Sequence, residues 1–132
     1  MEKIESNLKS VGSTPEKVFA FLSDLNNHQQ LMPPQASEWW SNGDEAKMKM
    51  QGLGDLHLKK DIVTQNSYIK IVPLGKVPFD LYLEWHIQQD ETNSKVKVVI
   101  MADLNMFMKM MAMKPLQSLV DHMVKRVNEI LN

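Results

Sequence analysis

The stretch Leu116-Gln-Ser-Leu-Val-Asp-His-Met-Val-Lys-Arg-Val-Asn-Glu-Ile-Leu131 decides how this chain folds. Its apolar residues recur every three or four positions and polar residues fill the positions between them, which is the pattern of one apolar stripe on a helix. A helix that began at Met106 and ended at Leu131 would be roughly 40 Å long, at about 1.5 Å per residue. So long a helix needs a broad apolar surface to lie on, and the rest of the chain has to supply it.

The segment before this helix is predicted to form strands, because its apolar residues alternate with polar ones. Turn signals such as Asn42-Gly43-Asp44 and Gly52-Leu53-Gly54 separate the strands. Successive hairpins predict a mostly antiparallel sheet with one solvated face. The alternation is clear in residues 46–50, 56–62, 79–87 and 96–104.

The first third of the chain predicts one strand and two short helices. Residues 2–11 alternate like a strand, and Ser13-Thr14-Pro15-Glu16 supplies a hydroxyl cap, an early proline and an early acid for a helix start. A second helical piece from Asn27 to Met32 is stopped by Pro33-Pro34. The expected fold class is therefore α+β, with a sheet of about six to seven strands covered by the terminal helix.

This order of elements resembles the helix-grip fold of the START superfamily (SRPBCC), which includes birch-pollen-allergen-like proteins and polyketide cyclases. The residues that carry the resemblance are Thr14-Pro15-Glu16-Lys17-Val18-Phe19-Ala20-Phe21-Leu22-Ser23-Asp24 and the segment from His28 to Pro33. The tail from Leu104 to Leu131 is similar to the last helix of carbon monoxide dehydrogenase G-like proteins. The resemblance implies a curved sheet wrapped around the long helix and a hydrophobic tunnel between them, usually for a lipid, sterol, polyketide or aromatic molecule.

The composition excludes several classes of function. Among 132 residues, 15 basic and 16 acidic side chains are well mixed and the net charge is −1, so nucleic acid is not an expected partner. The absence of cysteine excludes disulfides and thiolate sites. No signal peptide and no apolar run of roughly 20 residues are present, so we expect a cytoplasmic protein without membrane insertion. Residues 1–132 are expected to form a single ligand-binding domain.

The wall of the expected tunnel follows from the inward faces of these elements. Trp39 and Trp40 are adjacent, so in a regular strand one points inward and the other outward, and the sequence does not decide which. The candidate ligand-binding residues are Phe21, Met32, Trp40, Met48, Met50, Leu58, Ile71, Leu83, Trp85, Ile100, Phe107, Met111 and Leu119.

Two polar side chains are candidates for the interior of the tunnel. Lys60 shares its parity with Leu56 and Leu58, and Tyr68 begins the next strand; the alternative for Lys60 is a bulge or a position at the strand end that returns it to solvent. No catalytic residue, cofactor or metal site is predicted, because the four histidines are isolated and no acid–base pair is apparent. His28, His57, His86 and His122 are all expected at the surface.

Methionine is unusually frequent, with 11 residues, and several fall between Asn105 and Lys114. A thioether site for Cu(I) is disfavoured, since residues two apart on a helix point in different directions. A pliable wall of a binding site and ordinary core packing both remain open. Pro115 follows this run, and we expect it to kink the helix and make residues 106–114 a movable lid.

The favoured function is binding of a small hydrophobic or amphipathic molecule, as a carrier or a sensor, between the sheet and the last helix. One alternative is a cyclase or hydro-lyase that acts on a polyketide-like or aromatic substrate. Another is an accessory or maturation protein that acts through a protein partner. The sequence leaves the oligomeric state open.

Overall fold

The computed structural model describes all residues, 1–132, and has the α+β helix-grip fold. Eight strands form one sheet, two short helices follow the second strand, and a long helix ends the chain. The elements are β1 (Glu2–Glu5), β2 (Lys9–Val11), α1 (Pro15–Ser23), a 3-10 helix (Leu25–Leu31), β3 (Ala36–Ser41), β4 (Glu45–Met50), β5 (Gly54–Thr64), β6 (Tyr68–Pro73), β7 (Leu81–Asp90), β8 (Asn93–Ala102) and α2 (Met106–Leu131).

All neighbouring strands are antiparallel, as the hairpin signals predict. The strand order is β1-β8-β7-β6-β5-β4-β3, and β2 also pairs with β8. The first strand of the chain is therefore paired with the last one, and β3 forms the opposite edge of the sheet. Because the alternating apolar residues of β7 and β8 all point to the same side, they build one continuous buried face.

Helix α2 covers that face with the stripe that the sequence predicts. Its N-cap is Asn105, whose side chain accepts a hydrogen bond from the Met108 amide at 2.9 Å. The helix continues through Pro115 without interruption to Leu131. Its buried residues are Ala112, Leu116, Leu119, Val120, Met123, Val124 and Val127. No helix of the protein is both long enough and apolar enough to cross a membrane.

The first predicted strand is divided in the structure. Residues 2–5 and 9–11 are separate strands on β8, and Ser6 between them is buried. The Ser6 hydroxyl accepts a hydrogen bond from the Val98 amide at 3.0 Å, so the break in the strand leaves that amide satisfied. Serines occupy part of the predicted inward face of residues 2–11, and one of them, Ser6, lies at this break.

The two short helices are held by capping side chains. Thr14 accepts a hydrogen bond from the Lys17 amide at 3.3 Å and begins α1. Asp24 accepts from the Asn26 amide at 3.0 Å and begins the 3-10 helix. The 3-10 helix carries Leu25, His28 and Leu31 into the core beside α2.

Candidate ligand-binding site

A narrow cavity of about 50 Å³ lies between the inner face of the sheet and α2. Seventeen of its eighteen lining residues are hydrophobic, and His28 is the exception. They come from the 3-10 helix, from β3 to β8, from α2 and from three of the connecting segments, so only the complete fold brings them together. The lining residues are Leu25, His28, Met32, Trp39, Ala46, Met48, Met50, Leu53, Leu56, Leu58, Ile71, Phe79, Leu81, Leu83, Ile100, Leu116, Leu119 and Met123.

Most of the candidate residues chosen from the sequence lie on this wall. Seven of them belong to strands with regular alternation or to the apolar stripe of α2, where the period fixes the direction of a side chain, and Met32 follows the 3-10 helix. Their part in holding a ligand stays a prediction. The candidates on the wall are Met32, Met48, Met50, Leu58, Ile71, Leu83, Ile100 and Leu119.

Five candidates lie outside the cavity wall. Phe21 packs against the core from α1, and Trp85 is fully buried behind the wall, where it contacts His28. Phe107 and Met111 are on the solvent side of α2, with 70% and 59% of their surface exposed. Trp40 is 46% exposed, with the Lys47 amine 5.5 Å from the centre of its ring.

A bulge decides between the two adjacent tryptophans. The register of β3 on β4 shifts between Ser37 and Trp40, and Glu38 has a left-handed backbone with φ of 53°. Trp39 therefore faces the cavity, where its indole nitrogen donates to the Ser41 hydroxyl at 3.0 Å. The alternation of side chains along a regular strand cannot predict which tryptophan faces inward, because the bulge shifts the register by one residue.

Neither of the two polar candidates lines the cavity. Lys60 is on the inner side of β5 opposite Ile71, but its amine donates to the Ser23 carbonyl at 2.7 Å and lies 3.4 Å from Asp44. It thus stabilises the carboxyl end of α1, where a cation is favourable. The register shift in β5 lies after Lys60, between Lys60 and Val63, and it leaves Ile62 exposed.

Tyr68 also lies away from the cavity. Its hydroxyl donates to the Glu84 carboxylate, and its ring contacts His86 edge-on with centroids 5.3 Å apart. Burial raises the pKa of the Tyr68 hydroxyl, and the Glu84 carboxylate raises it further. Tyr68 is therefore a neutral side chain in a polar cluster on the sheet and makes no contact with the cavity.

The surface position expected for His28 is wrong, because this histidine is 4% exposed. The Trp85 indole nitrogen donates to His28 Nε2 at 3.0 Å, and the two rings meet edge-on at 5.9 Å. Since Nε2 accepts, the neutral ring carries its proton on Nδ1. No acceptor meets Nδ1 with hydrogen-bond geometry. Burial lowers the pKa of His28 to about 4, although the Asp24 backbone and carboxylate act in the opposite direction.

Methionine forms the adaptable part of this wall, but from other positions than the run at 105–114. Met32, Met48, Met50 and Met123 line the cavity. Met106, Met110 and Met111 of the run are exposed, so the pliable wall expected there is not part of the cavity. The alternate positions of Met48 and Met50 on β4 are the sequence feature that indicates methionines on the cavity wall.

An open groove of about 600 Å³ adjoins the cavity on the side of Pro115. The Gln51 amide donates to the Gln35 carbonyl at 3.0 Å and joins the two loops that face α2 across it. Met50, Leu53 and Leu119 line both spaces and so form the partition between them. The groove is lined by Pro33, Pro34, Gln35, Met50, Gln51, Leu53, Lys114, Pro115, Ser118, Leu119 and His122.

Comparison with known proteins identifies the fold. No family model matches the sequence, and no curated relative is detected. The KanY protein, solved by NMR, is similar with a TM-score of 0.77 at 15% identity over 99% of both chains. The Aha1 dimer from Colwellia psychrerythraea gives 0.66 at 14% identity, over 99% of this chain and 96% of that one.

A third similar structure is the di-domain ARO/CYC protein BexL from the BE-7585A biosynthetic pathway. Its TM-score is 0.71 at 9% identity, and the match covers 98% of this chain and 46% of BexL. Identities at this level show a shared fold. The protein therefore has the helix-grip fold.

Proposed function

We propose that this protein binds a small hydrophobic or amphipathic molecule between the sheet and α2, as a carrier or a sensor. The observation that supports this most directly is that the apolar cavity adjoins an open groove and that Met50, Leu53 and Leu119 line both. A ligand site with an apolar interior and a few polar groups at one end is the usual form of a small-molecule pocket.

The size of the cavity sets what binding requires. Its volume of about 50 Å³ holds only a few heavy atoms. An apolar cavity of about 150 Å³ can hold one benzene molecule, so a longer ligand has to displace side chains of the wall. The four methionines of the wall can supply this movement, because an unbranched thioether chain changes shape at small cost.

Burial of the ligand would provide the binding energy. Covering about 300 Å² of apolar ligand surface contributes on the order of 7 kcal/mol before the costs of association. This magnitude supports micromolar affinity at most. The proposal therefore describes reversible carriage or sensing of a small molecule.

The test is thermal unfolding with an excess of a neutral apolar probe, 1-dodecanol, farnesol or 2-naphthol. A bound probe at about 100 times its Kd should add about 2.7 kcal/mol to the free energy of unfolding. Ala46→Ile should abolish the shift, because the new side chain fills the cavity that buried Ala46 lines. The matched control is Ala20→Ile on the exposed side of α1. The proposal fails if none of the three probes stabilises the protein.

A cyclase or hydro-lyase acting on a polyketide-like or aromatic substrate is the second candidate, favoured by the fold shared with BexL. Lys60 and Tyr68 do not reach the cavity, so His28 is the one titratable group that such chemistry could use there. Turnover of an aromatic precursor that is lost in His28→Gln, with probe binding retained, would support the enzyme over the carrier.

The accessory-protein hypothesis rests on the resemblance to carbon monoxide dehydrogenase G-like proteins and on the exposed Trp40. It predicts that Trp40→Ser changes which proteins the chain captures in its host. Pure ligand binding predicts no such change, because Trp40 lies outside the cavity wall.

A further inference from the structure

We propose that the groove beside the cavity is the head-group site for an amphipathic carboxylate whose apolar tail extends into the cavity. This inference rests on the proposed function and names the chemical class of the ligand. It follows from the charge, the spacing and the size of the groove.

The groove has basic groups and no acidic ones. Lys114 and His122 are the only ionisable residues among its eleven lining residues. Lys114 forms no ion pair, whereas Lys109 on the same helix is 2.7 Å from Glu2. An anion placed here therefore meets an ammonium group that has no competing carboxylate partner.

The spacing on α2 separates a polar row from an apolar one. Lys114, Ser118 and His122 recur every four residues and line the groove together. The adjacent row consists of Pro115, which lines the groove, Leu119, which lines both spaces, and Met123, which lines the cavity. A ligand lying across these rows has its polar end at the first and its apolar end at the second.

The opposite wall adds neutral hydrogen-bonding groups. Gln35 and Gln51 line the groove from the two loops that their backbones join. Amide side chains accept and donate equally, so they do not select a charge. The charge selection comes from Lys114, whose single ammonium group can pair with one carboxylate head group.

The dimensions fit this division. The groove of about 600 Å³ is large enough for a head group and the first part of a chain, whereas the cavity of about 50 Å³ holds only a narrow tail end. The tail has to pass Met50, Leu53 or Leu119. Met50 can move most readily, because it is unbranched.

The experiment compares dodecanoate with 1-dodecanol, both below their aggregation concentrations, by titration of the intrinsic tryptophan fluorescence. Trp39 reports on the cavity, because it lines it. Wild-type protein should bind dodecanoate with one site and more tightly than dodecanol. Lys114→Gln should raise the Kd for dodecanoate about threefold to tenfold and leave the Kd for dodecanol unchanged. Lys114→Glu should instead prefer dodecylamine.

The matched control is Lys125→Gln, an exposed lysine of α2 that lies outside the groove and forms no ion pair. It should bind both probes like the wild type. Equal affinity for dodecanoate and dodecanol, unchanged by Lys114→Gln, would overturn the head-group site and leave the apolar cavity as the proposed function. If neither probe binds, the head-group site is wrong, while farnesol and 2-naphthol still test the proposed function separately.

Discussion

At the scale of single residues, His28 is the most consequential side chain in the core. Its ring is held in the neutral form by burial, and the Trp85 indole fixes which nitrogen carries the proton. A protonated ring would lose its hydration among the apolar residues of the wall, and the Asp24 carboxylate offsets only part of that cost. The protein is therefore expected to be sensitive to acid at this position.

The sign of that sensitivity follows from the two pKa values. The pKa of His28 is about 4 in the folded protein and 6.5 for the ordinary side chain. The unfolded chain binds the proton first, so the stabilisation is complete above pH 6.5 and is lost as the pH falls towards 4. We expect a loss on the order of 3 kcal/mol from this group.

Urea unfolding between pH 4 and 7 measures this contribution. His28→Leu should lack this part of the pH dependence, although the unpaired Trp85 indole should cost about 1–3 kcal/mol at neutral pH. His122→Gln, which changes a half-buried histidine of α2, should retain it. Parallel pH profiles for wild type and His28→Leu would contradict the assignment.

At the scale of elements, α2 has two unlike halves. From Leu116 onward its apolar stripe is buried, and Asn128 and Asn132 hydrogen-bond to Ser10 and Gly12 of the N-terminal region at 2.6 and 3.0 Å. The first two turns expose Met106, Phe107, Met110 and Met111 instead. Since exposed methionines gain little from folding, the first half should contribute little to stability.

Two equivalent substitutions test this difference. Met110 is 82% exposed, and Met110→Ala should change the free energy of unfolding by less than about 0.5 kcal/mol. Met123 is 1% exposed, and Met123→Ala should cost about 2–5 kcal/mol, because it enlarges the cavity. Chemical denaturation of both variants gives the comparison. Similar losses in the two proteins would show that the first half is more tightly packed than its exposure indicates.

At the scale of the whole molecule, the sheet is asymmetric. β8 pairs with β1, β2 and β7, so it is an interior strand, whereas β3 is an edge strand paired only with β4. The buried face of β7 and β8 contains Trp85, Val96 and Val98, each with no exposed surface. Stability should therefore decrease from this region towards β3 and the first turns of α2.

Native-state hydrogen exchange measured by NMR checks this order. Amides of β7 and β8 should exchange only through global unfolding, while amides of β3 and residues 108–111 should exchange through local opening. Addition of a bound ligand should slow exchange around Pro115 and the loops at 33–35 and 51–53, if the groove is used. Equal protection in β3 and β8 would contradict the predicted gradient.

The sequence by itself determined the fold. Alternation in β4 to β8 and the stripe in α2 are local patterns that fix which side chains face the core, so seven candidate residues from these elements lie on the cavity wall. Candidates failed where the local pattern is interrupted. The bulge in β3 turned Trp40 outward, and Phe107 and Met111 lie on the solvent side of α2, whereas Met108 and Ala112 of the same turns pack against the core.

Only the tertiary structure decided the size of the cavity, the burial of His28 and the location of the groove. His28 lies on a short 3-10 helix without a clear period, and Trp85 is 57 residues away in sequence, so no local pattern connects them. Lys114 and His122 look like ordinary solvent-facing residues of a helix, and only the position of two distant loops shows that they line a groove. The physical reason is that a periodic pattern gives the direction of a side chain, whereas packing between distant segments decides what that side chain meets.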